Sequence, residues 1–317
     1  MAPEDLQVTM LREPDRARLV TALDGVRYLI SERRGVIDDE VLTRAPDLEM
    51  ILRLGATTHD IDLEAARRRG IVVCRRGQEG PIRVAEYLVM QCLALLRRLP
   101  ETERIARDRS RKWAEPSETD ENTFSYNWSE TRNLLGLHDR RIGILGFGEI
   151  GAELSERLKG WRCDVTYHRR SRLPEPIERN MGVRYVELGD LASRSDVVIC
   201  LLPYTKATLQ MVDVAFLASM KPGAFLVSAG SGGVVDEFAL ADALFSGRLA
   251  GAAVDTFAVE PIQPDNPLLQ AAEDGTNIIL TPHVAGGSPP DAWDELRRMF
   301  GPVMAHRAGE EPSGRLV

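Results

Sequence analysis

Short apolar runs alternate with helix-length amphipathic ones along most of the chain. Residues 26–30, 50–54 and 71–74 are strand-sized and mostly apolar, the pattern of strands covered on both faces. Between them, 38–44 and 62–69 carry helical spacing, the second closed by Gly70. Residues 84–99 predict a strongly apolar helix, buried on several sides. This first stretch therefore reads as an α/β unit on a parallel sheet. Residues 101–139 break the rhythm: they are charged and polar, yet carry Trp113, Phe124, Tyr126 and Trp128. They fit either a helix followed by a long solvated connection, or an arm that packs on a neighbouring subunit, since exposed aromatics favour interfaces.

From Arg141 the alternation resumes with greater regularity. Strands are predicted at 141–145, 164–168, 196–202, 224–228, 251–255 and 277–281. Helices are predicted at 149–159, 213–220 and 236–245, the last with Asp236 as N-cap. This is the rhythm of a doubly wound, Rossmann-type sheet. The tail 291–308 is helical and long enough to fold back on the first domain.

The strand at 141–145 runs straight into Gly146-Phe147-Gly148-Glu149-Ile150-Gly151 and then a helix. In that order Gly146 permits the tight turn, Gly148 lets backbone approach a pyrophosphate, and Gly151 lets the helix pack close to the strand. The helix start supplies N–H groups and a positive dipole end for phosphates. Strand, glycine loop and helix together predict a dinucleotide site. Its cofactor is chosen at the end of the next strand, where an NAD site places a carboxylate on the ribose 2′-hydroxyl. That place holds His168, Arg169, Arg170 and Arg172 instead. Guanidinium groups bind a 2′-phosphate that a carboxylate would repel, so the sequence predicts NADP(H) over NAD(H).

A chain of 317 residues exceeds what one core usually holds, which points to two domains. Its net charge of −8 argues against nucleic acid as a partner. No apolar run approaches the roughly 18 residues of a membrane span; the best, 84–96, contains Glu86 and Gln91. The opening stretch is acidic, without the basic-then-apolar layout of a signal peptide. Cys74, Cys92, Cys163 and Cys200 form no CxxC pair and adjoin apolar segments, as reduced thiols of a cytoplasmic protein without a metal site would.

Taken in order, 54–62, 70–73, Val84-Ala85-Glu86, Trp113, the glycine loop, 195–198, 202–208, 220–224, 235–240, 251–261 and 281–283 resemble the D-isomer-specific 2-hydroxyacid dehydrogenases. That family includes phosphoglycerate dehydrogenase and glyoxylate/hydroxypyruvate reductases, and the resemblance covers nearly the whole chain. It implies a Rossmann-type NADP(H)-binding domain at 104–287. A smaller, flavodoxin-like α/β substrate domain would be built from 1–103 and 288–317. It also implies a homodimer joined through the nucleotide domains, and hydride transfer between the cofactor and a small-molecule 2-oxo or 2-hydroxy acid.

By the same resemblance His283 is the general acid/base and Glu260 its carboxylate partner, while Asp255 holds the nicotinamide carboxamide. Histidine suits proton transfer because it titrates near neutral pH. Leu202, Pro203, Thr208, Ala229, Gly230, His283 and Gly286 join the glycine loop as cofactor contacts, and Ala56, Thr57, Arg75 and Arg76 face the substrate.

Two positions depart from the family pattern. Ser231 stands where the family carries the arginine that grips substrate, and a hydroxyl cannot supply a charged, bidentate clamp. Thr57 occupies a glycine position of the substrate loop. One of Arg75, Arg76 and Arg83 could supply the missing positive charge. Two other readings accommodate Ser231: a nucleotide-binding sensor without turnover, or a reductase whose substrate lacks a carboxylate.

Overall fold

A computed structural model describes residues 6–12, 14–32, 35–113, 115, 118–288 and 297–317. The chain divides into two compact units, one of residues 1–83 and 287–317 and the other of 84–286.

The smaller unit opens with α1 (Arg16–Ala22), β1 (Tyr28–Ser31), α2 (Asp39–Thr43), β2 (Met50–Leu54), α3 (Leu63–Arg68) and β3 (Val72–Arg76). Its three strands are parallel in the order β1-β2-β3. All five residues of β2 are buried, which is why the central strand reads as an unbroken apolar run apart from Arg53. Asp38 and Asp62 cap α2 and α3 by accepting the N–H of Val41 and Ala65.

Helix α4 (Glu79–Leu96) carries the chain from one unit into the next, and α5 (Leu99–Arg107) follows. The first crossing between these units falls inside α4, between residues 83 and 84. From Ala85 onward α4 buries its apolar face and ties itself to the larger unit. Asn277 donates to the carbonyl of Leu95, Leu135 N–H to that of Leu96, and Tyr87 bonds Thr281. The second crossing lies at 286/287.

The larger unit continues with β4 (Arg141–Leu145), α6 (Glu149–Leu158), β5 (Asp164–His168), α7 (Glu175–Met181), β6 (Val183–Tyr185), α8 (Leu188–Arg194) and β7 (Val197–Cys200). It ends with α9 (Val214–Ser219), β8 (Ala224–Ser228), α10 (Glu237–Phe245), β9 (Leu249–Val254), α11 (Pro267–Glu273) and β10 (Ile278–Leu280). The seven strands are all parallel, in the order β10-β9-β8-β7-β4-β5-β6. The order reverses between β4 and β7, the switch point at which doubly wound sheets open a crevice beyond the strand ends. Asp236 caps α10 by accepting Ala239 N–H.

The described residues of 108–140 are irregular. Trp113 and Trp128 meet edge to face at 4.5 Å, while Phe124 and Tyr126 are 74% and 83% exposed. The chain returns to the smaller unit with α12 (Gly301–Arg307). The first six residues of the tail helix predicted at 291–308 lie outside the described residues. Among the described residues no helix is long and apolar enough to cross a membrane, and no group of His, Cys, Asp and Glu is arranged to hold a metal.

Candidate active site

In the larger unit, the cofactor and catalytic candidates named from the sequence lie in or beside the loops that leave the C-terminal ends of β4, β5, β7, β8, β9 and β10. Gly146 leaves β4 at φ +89°, and a Cβ there would stand 2.9 Å from the backbone of Leu201, so both conformation and space call for glycine. At Gly148 no described atom lies within 4 Å of where a Cβ would stand, which leaves that backbone open to a ligand. α6 starts at the next residue, with Glu149 in its first turn. A Cβ on Gly151 would meet the ring of Phe147 at 3.0 Å, so the absence of a side chain there seats that ring. Phe147 is buried and packs on Tyr167 of β5 at 4.7 Å. Ile150 is half-buried in the same turn.

At the end of β5 the ring of His168 is fixed. Its Nδ1 lies 3.0 Å from the Val186 carbonyl, which can only accept, so Nδ1 carries the hydrogen and Nε2 is left for other partners. The ring also packs beside Tyr185 at 5.6 Å. Arg172 belongs elsewhere: it pairs with the buried Glu178 at 2.6 Å, and Tyr167 donates to the same carboxylate. The run therefore presents His168, Arg169 and Arg170 at the strand end. No carboxylate occupies residues 168–172.

Thr208 closes the loop after β7, its hydroxyl donating to the carbonyl of Pro203, while Leu202 accepts the N–H of Ser231 at 2.9 Å. Ala229 N–H bonds Cys200 and the Gly230 carbonyl accepts from Thr256. Ser231 is half-buried in a loop with no slack, for a Cβ on Gly232 would collide with the carbonyl of Phe257.

The loops after β9 and β10 bring His283 and Glu260 together. His283 Nδ1 lies 2.8 Å from Glu260 Oε2. The carboxylate accepts there, so Nδ1 bears the hydrogen and Nε2 is the free ring nitrogen. Glu260 Oε1 accepts the N–H of Phe257 at 3.0 Å. Hydrogen bonding to His283, with help from that N–H, holds the Glu260 carboxyl below its ordinary range. Glu237 supports the same loop by accepting from Ala258 N–H and Asn266.

Asp255 is 1% exposed and accepts from Thr281 Oγ1, Val284 N–H and Ala285 N–H at 2.7, 3.0 and 2.9 Å. A carboxylate offers about four acceptor positions, so one remains for an amide donor. Gly286 follows directly on this loop. Tyr87 and Gln91, which continue the Asp255 contacts into α4, were not legible as site residues. Their only signal is two polar side chains one turn apart in an apolar helix.

In the smaller unit, Arg75 Nη1 donates to the carbonyl of Ala56 at 2.8 Å, and Gly55 N–H bonds the carbonyl of Arg76. Thr57 is buried, its hydroxyl 3.2 Å from His59 Nδ1. Arg76 and Arg83 both approach Glu79, at 3.6 and 3.4 Å.

Residues 89–285 match the model of the D-isomer specific 2-hydroxyacid dehydrogenase NAD binding domain. A glyoxylate reductase of Korarchaeum cryptofilum is 31% identical over 300 residues, covering 94% of this chain and 85% of that one. D-3-phosphoglycerate dehydrogenase of Archaeoglobus fulgidus is 30% identical over 290 residues, or 91% of this chain. The chain spans about half the length, 51%, of that longer relative. A solved protein of Thermus thermophilus shares the fold with a TM-score of 0.57 at 30% identity, over 95% of this chain and 89% of that one. With more than half of its length matched by the family model, the chain belongs to the D-isomer specific 2-hydroxyacid dehydrogenases.

Proposed function

We propose that the protein is an oxidoreductase that moves a hydride between NADP(H) and a small 2-oxo or 2-hydroxy acid, or a related carbonyl compound. The observation that carries this reading is the 2.8 Å contact between His283 and Glu260 in the strand-end loops of a dinucleotide-type sheet. Gly146, Gly148 and the start of α6 would hold the pyrophosphate. His168, Arg169 and Arg170 would hold the 2′-phosphate, and the remaining acceptor position of Asp255 the carboxamide. The cofactor, when bound, supplies or receives the hydride.

His283 handles the proton. Its Nδ1–H is committed to Glu260, which leaves Nε2 to pass a proton to a carbonyl oxygen or take one from a hydroxyl. Glu260 accepts that Nδ1–H and so orients the ring. On the substrate side, Arg75 braces the Ala56–Thr57 loop and is the guanidinium best placed to bring positive charge to it. A homodimer is part of the same proposal, and the exposed aromatics of 108–140 support it. The four free cysteines, three of them buried, fit a reducing, cytoplasmic setting.

Ser231 favours a second reading, a protein that binds NADP(H) without turnover or reduces a substrate lacking a carboxylate. One assay separates them. Purified protein is mixed with NADPH and glyoxylate, hydroxypyruvate, longer 2-oxo acids, or neutral ketones and aldehydes, and nicotinamide absorbance is followed. Consumption with 2-oxo acids is the expected result. Consumption with neutral carbonyls alone, or tight NADPH binding with no consumption, replaces it with one of the other two readings.

A further inference from the structure

A row of polar side chains runs from α4 to the loop that presents His283. Gln91 is 2% exposed, and its Nε2 donates to the Tyr87 hydroxyl oxygen at 2.6 Å. Tyr87 and Thr281 share a hydrogen bond between their hydroxyls, and Thr281 Oγ1 donates to Asp255 Oδ1 at 2.7 Å. An amide N–H only donates and a carboxylate only accepts, so the two hydroxyls between them have one arrangement. Gln91 donates to Tyr87, Tyr87 to Thr281, and Thr281 to Asp255. Burial pushes the Tyr87 phenol above its ordinary range, which keeps it a donor.

Asp255 in turn grips three consecutive amides. Its main-chain carbonyl accepts His283 N–H at 2.9 Å, and its carboxylate accepts those of Val284 and Ala285. His283 needs that grip, because it stands at φ +54°, in the left-handed region that disfavours a residue with a Cβ.

We propose that Tyr87 is a positioning residue for His283, acting through Thr281 on the Asp255 carboxylate that fixes the loop carrying the imidazole. Its proposed role rests on the reading of His283 as the acid/base. Tyr87 touches neither ring nor reacting atoms. It sets where the ring stands, and so acts on kcat more than on cofactor or substrate binding.

The test compares Tyr87→Phe, Thr281→Val and Thr281→Ser with the unaltered protein, and with His283→Asn as reference. Turnover is measured on whichever carbonyl compound the unaltered protein reduces, alongside NADPH affinity and Tm. Removing either hydroxyl should lower kcat about tenfold, the usual effect of losing one hydrogen bond to a charged network. KM and the NADPH Kd should stay within about twofold, and Thr281→Ser should retain most of the activity.

A second readout needs no turnover: the ring signals of His283 in a nitrogen-15 spectrum, assigned by their loss in His283→Asn, should shift in Tyr87→Phe. Wild-type kcat with unmoved ring signals overturns the proposal, and so does a loss of activity that merely follows the NADPH Kd and Tm. Undiminished turnover in His283→Asn would instead overturn the acid/base reading, and shifted ring signals would still speak for the relay.

Discussion

His283 and Glu260 meet at 2.8 Å, and the other oxygen of that carboxylate is held by the Phe257 N–H at 3.0 Å. The pair is thus fixed from the glutamate side before any ligand arrives. Glu260→Gln would replace an obligate acceptor with a group that competes as donor, and the imidazole would lose its charged brace. We expect kcat/KM to fall by about 10- to 100-fold, within the range that proton-transfer groups contribute. An unchanged kcat/KM would remove Glu260 from the chemistry.

The same pair predicts a pH dependence of stability. The Glu260 carboxyl is held below its ordinary range by hydrogen bonding to His283. A carboxyl depressed in the folded state adds stability that is fully present above its unfolded value, about 4.3, and lost as pH falls through the folded value. Tm of the unaltered protein should therefore decline below about pH 4.5 more steeply than that of Glu260→Gln. The difference should be small because the side chain is 35% exposed. Parallel Tm curves for the two proteins across this window would show that the contact adds nothing to folding.

Cofactor choice is predicted to lie with Arg169 and Arg170, since Arg172 is committed to Glu178. Replacing both with alanine should weaken NADPH by about 10- to 100-fold and leave NADH nearly unchanged, the scale of one or two charge-assisted hydrogen bonds. Fluorescence titration measures both dissociation constants. Equal losses for the two nucleotides would mean that the arginines do not read the 2′-phosphate.

In β2 of the smaller unit, Arg53 is fully buried and paired with Asp60 at 2.6 Å. Asp60→Ala removes the carboxylate from a guanidinium that has no route to water, and should cost about 3–5 kcal/mol by denaturant unfolding. The double variant Arg53→Met/Asp60→Leu should be less destabilised than Asp60→Ala alone, because it leaves no buried charge. A milder loss in Asp60→Ala than in the double variant would contradict this.

What the sequence made legible follows burial. The strands at 50–54, 141–145 and 224–228 coincide with β2, β4 and β8, because central parallel strands are largely apolar on both faces and end at polar or glycine residues; that at 164–168 coincides with β5, which alternates and buries Val165 and Tyr167. Four helices that combine an aspartate cap with buried apolar positions were legible for a similarly local reason. α7, β6 and α8 were not, since their short, charged sequences carry little period. α1 buries no residue and so shows no apolar face.

Within the site, His283, Glu260 and the glycine loop sit in local motifs, whereas the Tyr87–Thr281 contact joins residues 194 positions apart. No window on the sequence brings those two together. The unit crossing inside α4 was hidden similarly, because a continuous helix gives no sign of which neighbours its successive turns meet.

Ser231 offers the sharpest test of what the site can still do. Its backbone is pinned by the Leu202 carbonyl, Gly232 is wedged against Phe257, and Gly233 lies near the Tyr204 ring, so a substitution at 231 changes the side chain within a fixed frame. The residue is half-buried, which leaves room for a longer side chain to extend. Ser231→Arg would add a bidentate cation worth about 1.5–3 kcal/mol toward a carboxylate. If the proton pair and cofactor site are competent, KM for glyoxylate should fall by about 10- to 150-fold, or reduction should emerge where none is measurable. A neutral ketone gains nothing from that cation. Turnover of neutral carbonyls in the unaltered protein, lost in Ser231→Arg while glyoxylate reduction rises, would assign serine a role in choosing a substrate without a carboxylate. An arginine variant that binds NADPH tightly and still reduces nothing would show that the deficit lies beyond position 231, and would move the balance to the nucleotide-binding reading.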